Sequence, residues 1–317
     1  IIIMSDSRRV YISSVDNQTY DPKFSTIDIN LSGARLERKS NERLSIALVR
    51  ASFPSQMGAL PITSVKSSDI NKNISVLAFS WDDGVNFGLK QRIYYNQTSS
   101  TLNSGANIHN GFWTLNTSIN EILTQINAIN GGNTDLKVDS LNRLIMGSST
   151  KSISFWWDDS SVKIMNALGL KRTLPAGSGE TSIITGGGNI PDRSPVNVAS
   201  ILPVIYITTN TNMHTFSSAK KGQSINILAS VPVSLDANTA GNNTLITVIG
   251  GVQEVYSQSS QLNYTNYSLE GSHKSIDEKI ISNMVLGLVN DELRPIGTLG
   301  KEWNLTLDVK IIDDGNF

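Results

Sequence analysis

The chain has 317 residues, 39% of them hydrophobic and 17% charged, and 26 Lys and Arg stand against 27 Asp and Glu for a formal net charge of −1. That composition is globular, carries no global positive field for wrapping nucleic acid, and contains no run near the ~20 apolar residues of a membrane span. The absence of cysteine excludes disulfides, thiolate metal sites and a cysteine nucleophile together.

Ile1-Ile2-Ile3 ahead of Met4 is too short for a signal-peptide core and is followed by no small-residue cleavage site, so no secretory leader is expected. Asn-x-Ser/Thr triplets such as Asn96-Gln97-Thr98 and Asn304-Leu305-Thr306 are then chance features of an Asn-rich chain. Arg8–Ser14 predicts a first short strand, Val10 and Ile12 alternating with Tyr11 and Ser13, broken by Asp16-Asn17 and Asp21-Pro22. Ser25–Leu31 places Ile27, Ile29 and Leu31 on one face, and Arg43–Phe53 runs as a further strand to Pro54.

From about Asn73 the pattern changes. Val76–Trp81 and Gln91–Tyr95 read as strands around an Asp82-Asp83-Gly84 turn. Ile119, Ile122, Leu123, Ile126 and Ile129 then form one stripe of a 3.6-residue period. Ser118 and Glu121 stand at capping-box spacing at its start, and Gly131-Gly132 at its end. Leu136–Val138 and Arg143–Met146 predict a hairpin about Asp139–Asn142, and Ser152–Trp157 another strand. Asp158-Asp159-Ser160 is placed to cap a short helix with Val162, Met165 and Leu168 inward and Gly169 as its stop. Pro175–Pro195 reads as a Gly-, Ser- and Thr-rich linker.

Beyond it the β pattern returns in Ser200–Thr208, Gln223–Val233 and a single run Thr244–Val255, and Ser257–Gly271 is polar. Ile280–Val289 is nearly continuous in apolar residues, as in a strand buried on both faces, and Asn290–Pro295 is a turn. The chain closes with Trp303, Leu305, Leu307, Val309 and Ile311 alternating with Asn304, Thr306, Asp308 and Lys310, five groups inward and four outward. Such a strand belongs inside a sheet, and it is expected to pair antiparallel with Ser25–Leu31. Seven or eight strands interrupted by an α+β unit suit a sandwich or jelly roll, with domain bounds at 1–75, 76–190 and 191–317.

No catalytic, cofactor-binding or metal-ligating residue is assigned, and no cofactor is expected. His109, His214 and His273 each stand alone in a polar loop with no metal-ligand spacing. Asp82-Asp83, Asp158-Asp159 and Asp313-Asp314 sit in turns or a helix cap rather than facing one another. Gly186-Gly187-Gly188 lacks the Lys-Ser/Thr of a phosphate loop, and Lys220-Lys221-Gly222 and Arg8-Arg9 are small basic spots. With no nucleophile elbow or dinucleotide fingerprint, the chain does not read as an enzyme.

Several segments together, in order, resemble the penton, or minor capsid, proteins of virophages and polinton-like viruses. They are Val10–Asp16, Ser25–Leu31, Leu44–Pro54, Gly111-Phe112-Trp113-Thr114-Leu115 with the following helix to Asn127, Asp139–Ile145 and Ala167–Leu170. Val204–Ile207, Ile227–Pro232, Val289–Ile296 and Trp303–Leu307 complete the series, while the segment after Ile207 departs from the family's pattern. The resemblance implies a mainly β fold, a single antiparallel jelly-roll barrel with an inserted α+β domain, acting as a homopentamer at five-fold capsid vertices. Double jelly-roll major capsid protein trimers would surround it in a virion assembled in the host cytoplasm, with no membrane span and no sequence-specific nucleic acid. The alternative is a receptor- or carbohydrate-binding attachment module in which Trp81, Trp113, Trp156 or Trp157 stacks on sugars.

Overall fold

The structure is a computed structural model, and it describes residues 5–16, 26–31, 36–60, 75–82, 85, 88–96, 106–129, 135–147, 150–172, 181–185, 194–211, 213, 225–233, 244–249, 252–257, 261–298 and 300–313. In chain order the strands begin with β1 (Ser5–Ser13), β2 (Thr26–Asn30), β3 (Leu36–Glu37) and β4 (Glu42–Pro54). Next come β5 (Val76–Asp82), β6 (Gln91–Tyr95), β7 (Ile108–Gly111), helix α1 (Ile119–Ile129), β8 (Leu136–Val138) and β9 (Leu144–Met146). They are followed by β10 (Ser152–Trp156), helix α2 (Val162–Ala167), β11 (Thr181–Thr185), β12 (Val204–Thr209), β13 (Asn226–Pro232), β14 (Thr244–Ile249) and β15 (Val252–Ser257). The last are β16 (Gln261–Thr265), β17 (Lys274–Ile276), β18 (Ile280–Ile281), β19 (Asn283–Val289) and β20 (Asn304–Asp313). The chain divides into two compact units, one of Ile1–Met57, Pro203–Val233 and Ser259–Phe317, the other of Gly58–Leu202 with Ser234–Gln258.

The first unit holds two antiparallel sheets, ordered β1-β20-β4-β16, with β17 also on β4, and β13-β12-β19-β2. Counting β16 and β17 as one interrupted strand and lettering the strands B to I along the chain, the sheets read B-I-D-G and C-H-E-F. That is the double Greek key of a jelly roll. Alternation explains the core: Ile12, Ile46, Phe53, Leu305, Leu307 and Val309 of one sheet and Ile27, Ile205, Ile207, Val231, Met284 and Leu286 of the other are buried. Trp303 is buried with them, its ring 6.3 Å from that of Phe53.

Two expectations are corrected here. The closing strand is interior, with Trp303, Leu305, Leu307 and Val309 buried and Ile311 half-buried, but its partners are β1 and β4, not Ser25–Leu31. Strand β2 lies in the other sheet against β19. Side-chain alternation decides which face of a strand is buried and is silent on which strand lies beside it. Ile280–Val289 is not one strand buried on both faces: it breaks into β18 and β19, and within β19 Met284, Leu286 and Leu288 are buried while Val285 and Gly287 are half-buried.

The second unit is built on a five-stranded sheet ordered β11-β10-β5-β6-β7, in which only the β6–β7 pair is parallel. Phe79 and Phe155 face each other across β5 and β10 with centroids 6.3 Å apart, and Tyr95 meets Trp113 edge-on at 5.3 Å. Asn96, at φ 55°, closes both backbone groups of Trp113: its amide donates to the carbonyl (2.6 Å) and its Oδ1 accepts from the N–H (3.0 Å). Helix α1 starts as its sequence predicts. Ser118 N–H donates to Glu121 Oε2 (2.6 Å), Glu121 N–H donates to Ser118 Oγ (3.3 Å), and Ile122, Leu123 and Ile126 are buried.

Helix α2 differs from expectation. Its N-cap is Ser161 with no side-chain cap bond and Val162 is 55% exposed, while Met165 and Leu168 are buried as expected and Ile164 and Ala167 join them. Gly169 does stop it, at φ +73°, and a Cβ there would lie 2.1 Å from Ser194 O, so glycine is required on both counts. The presumed linker contains β11, paired with β10, because Ile184 has a buried place beside Ile153. Thr244–Val255, read as one run, is the hairpin pair β14 and β15.

Candidate functional site

The most distinctive local geometry of the jelly-roll unit begins with one extra residue. Thr306 of β20 faces Arg50 and Leu307 faces Leu48, so Val49 has no opposite number: β4 carries a bulge. On the other edge of β4 the neighbouring strand is interrupted at the same level. β16 covers Arg50 to Pro54 and β17 covers Leu44 to Ile46. Between them Asn266 takes both stranded carbonyls, its N–H donating to Val49 O (2.9 Å) and its Nδ2 to Leu48 O (3.0 Å). The intervening loop turns outward, held by Asn266 Oδ1 accepting from Ser268 N–H (3.0 Å) and by Asn266 Nδ2 donating to Ser272 Oγ (2.7 Å).

The detour leaves a cleft of about 650 Å³ between the loop and β13. Leu48, Leu228 and Ala229 supply its apolar lining, and Tyr264, Ser230, His273 and Lys274 are among its polar groups. Lys274 Nζ donates to Ile227 O (2.6 Å), and burial lowers its pKa from the usual lysine range.

Behind His273 lies a buried charge. Asp308, placed outward by the alternation of β20, is 1% exposed. Its Oδ1 accepts from Ser7 Oγ (2.8 Å) and pairs with Arg9 Nε (3.0 Å), while His273 Nε2 stands 3.2 Å from Oδ2. Ser45 Oγ is 3.3 Å from His273 Nδ1. Ser, His and Asp are thus in line, but a hydrolytic triad sets the nucleophile on Nε2 and the carboxylate on Nδ1. Here those nitrogens are exchanged, Arg9 balances the carboxylate, and Ser45 is 4% exposed and outside the cleft lining. The geometry ties β1, β4, β17 and β20 together at one point.

Of the histidines considered from sequence, His273 is therefore not a solvated loop residue; the loop that carries it folds back onto the sheet. His109 is on β7 rather than in a loop, 2.9 Å from Gln91 Oε1, and burial lowers its pKa. His214, Asp83, Asp314, the triple glycine and Lys220-Lys221-Gly222 lie outside the described residues. Among the described residues no three His, Asp or Glu groups converge as a metal site. Asp159, expected as a helix cap, instead takes Lys90 (2.6 Å) and Arg92 (3.4 Å). Trp113 and Trp157 are buried, Trp81 and Trp156 half-buried, and Lys90 Nζ lies 3.8 Å from the Trp156 ring centroid. Sequence reasoning missed Asp308 because its cover comes from residues near both ends of the chain; only the register that sets Arg9 opposite it reveals the pairing.

The strand order defines a single jelly roll carrying a large insertion between its third and fourth barrel strands. No protein-family model matches the sequence, and no curated protein matches it. Among solved structures, the crystal structure of the mavirus penton protein is similar over 98% of this chain and 100% of that one, at 9% identity and a TM-score of 0.49. The Sputnik virophage structure is similar over 98% of both chains, at 11% identity and a TM-score of 0.43.

Proposed function

We propose that this chain is a non-catalytic minor capsid protein, a penton, and that five copies close the five-fold vertices of an icosahedral shell. The observation that carries the reading is the jelly-roll wiring with its insertion between β4 and β12, joined to the ordered sequence resemblance described above. A heterologous contact closes into a ring when its rotation divides a full turn, and five-fold closure is what an icosahedral vertex needs. A formal charge of −1 per copy adds little repulsion to side-by-side packing. Barrel flanks form the contacts around the ring, and double jelly-roll major capsid trimers surround it. The test is the protein's position in an assembled particle, read by single-particle imaging. Density for five copies at each vertex is the expected result; three-fold positions, or a fibre away from the vertices, would sink the reading. Burial of Trp113 and Trp157 removes two of the four tryptophans on which a sugar-stacking role would draw.

A further inference from the structure

The two sheets of the jelly roll present different outer faces. On β1-β20-β4-β16 the row Tyr11, Thr306, Arg50 and Thr265 crosses the sheet at one level, each residue facing the next. Their strand neighbours Ile12, Leu305 and Ala51 are buried, so the row points away from the core. Arg50 is exposed, and Tyr11 is 66% exposed, an aromatic side chain held in water. Arg9 and Lys310 share that face. The outer face of β13-β12-β19-β2 is different in kind. Its four strands contain no Lys or Arg, and Asp28 is their one acid. The row at its middle is Thr208, Gly287 and Thr26. Gly287 lies within β19 without a left-handed φ, so the backbone does not require glycine there, and glycine inside a strand lowers stability. What it supplies is a recess. Among the described residues only Thr208 Oγ1, at 2.9 Å, and Thr26 Oγ1, at 3.9 Å, lie within 4 Å of the place a Cβ would take, and Gly287 is half-buried rather than buried. Such a glycine marks a point where another group comes close to the backbone.

We propose that the Tyr11 phenol of one copy seats on Gly287 of the next, between the Thr208 and Thr26 side chains, as the anchor of the contact between neighbouring copies. Projection and recess both belong to this chain, but they lie on the outer faces of opposite sheets and cannot meet within one barrel. Between copies they make a head-to-tail contact, the kind that closes into a ring. Tyrosine is among the residue types that carry interface energy, and depletion of charge marks the core of an interface. The cations beside Tyr11, which are Arg9, Arg50 and Lys310, meet no cation on the strands they would face. The inference deepens the capsid reading and rests on it for the number of copies in the ring.

The chain has no cysteine, so cross-links form only where cysteines are introduced. The test places Thr306→Cys beside the projection and Thr26→Cys beside the recess in the full-length protein, and treats it at high concentration with a flexible bismaleimide. The double variant should give a ladder of cross-linked species ending in a closed ring of copies, and either single variant should give none. Adding Tyr11→Ser or Gly287→Val should cut the cross-linked yield about tenfold, the scale of one aromatic anchor. Tyr11→Ser should melt like the parent. A branched side chain suits a strand, so Gly287→Val should melt no lower while losing the contact, which a glycine of purely structural use would not do. If Gly287→Val fails to fold, Tyr11→Ser decides alone. Absence of cross-links, a yield that Tyr11→Ser leaves unchanged, or dimers from a single variant, which would mark a symmetric contact, would overturn the proposal. A closed ladder of other than five copies would keep this contact and sink the penton reading. Imaged vertices of five copies with Tyr11 and Gly287 apart would sink the contact alone.

Discussion

In the inserted unit several strands find a partner nearby in the chain, as Leu136 faces Met146 and Val76 faces Tyr94, and the β5–β10 pair, Phe79 facing Phe155, is its long-range exception. In the jelly roll Ser5 faces Ile312 and Ser13 faces Asn304. The two units use the same materials, alternating apolar side chains and paired backbones. They differ in the loop entropy that must be overcome before a contact forms, which grows with chain separation and slows folding of non-local topologies. The jelly roll therefore concentrates its stability in a few shared strands. β20 lies between β1 and β4, and β4 lies between β20 and the split pair β16 and β17. Damage to β20 or β4 is expected to fell a whole sheet, while damage in the insert stays local.

The largest effect should come from Leu307→Asp. Leu307 is 1% exposed at the centre of β20, and a carboxylate there has no partner, so the cost is several kcal/mol. Soluble expression should be lost. A variant that expresses and melts like the parent would remove β20 from the core and erase the contrast between the units.

Next in size is Asp308→Ala. It strands the half-buried His273 and withdraws the acceptor of Ser7 and Arg9, and breaking a buried pair costs about 3–5 kcal/mol, toward the lower end here because Arg9 is itself 55% exposed. Urea unfolding followed by near-ultraviolet circular dichroism should show the jelly-roll transition moving to lower urea. An unchanged midpoint would mean that the cluster fixes no strands together.

These two sites also separate what was legible in the sequence from what was not. Leu307 was readable, because a period of two needs only the neighbours in the strand. So were α1, whose stripe and capping box lie within a few residues, and the β8–β9 hairpin. Asp308 read as an outward polar residue, since the groups that bury it, Ser7, Arg9 and His273, come from distant parts of the chain. The cleft was illegible for the same reason: it needs a bulge in β4 and an interruption in its neighbour to coincide, and neither leaves a composition signal. β11 was hidden by its setting in Gly- and Ser-rich sequence, although Thr181–Thr185 has the Thr and Ile content of a strand.

In the insert the expected effects are smaller. Ser118→Ala removes the acceptor of Glu121 N–H and one donor to Glu121 Oε2 at the start of α1. Loss of an N-cap costs about 1 kcal/mol. Thermal unfolding should register that loss, and hydrogen exchange should quicken in the first turn of α1 while the amides of β20 stay as protected as before. Faster exchange in β20 would show that the insert's stability is not local.

The smallest effect tests the same locality by charge. Asp139 closes the β8–β9 turn: its Oδ1 accepts from Leu141 N–H (2.9 Å) and Arg143 N–H (2.8 Å), and its Oδ2 from Arg143 Nε (2.9 Å). The side-chain bond from Arg143 is the main cause that holds this carboxyl below the usual aspartate range, with the backbone bonds adding to it. A carboxyl whose folded pKa lies below its unfolded value contributes stability that is present above the unfolded value, near 4 for a free aspartate, and is lost as pH falls through the folded one. The hairpin should therefore be insensitive to pH from neutrality down to about 4 and loosen below it. Arg143→Met removes the first cause and leaves the backbone donors, so the Asp139 carboxyl resonance should titrate at higher pH in the variant, while still below a free aspartate. Because the Asp139 carboxylate takes its bonds from Leu141 and Arg143 within the turn, resonances of β1 and β20 should not follow that titration. If they move with it, the hairpin is coupled to strands far along the chain, and the distinction between a locally built insert and a non-locally built barrel fails at its simplest point.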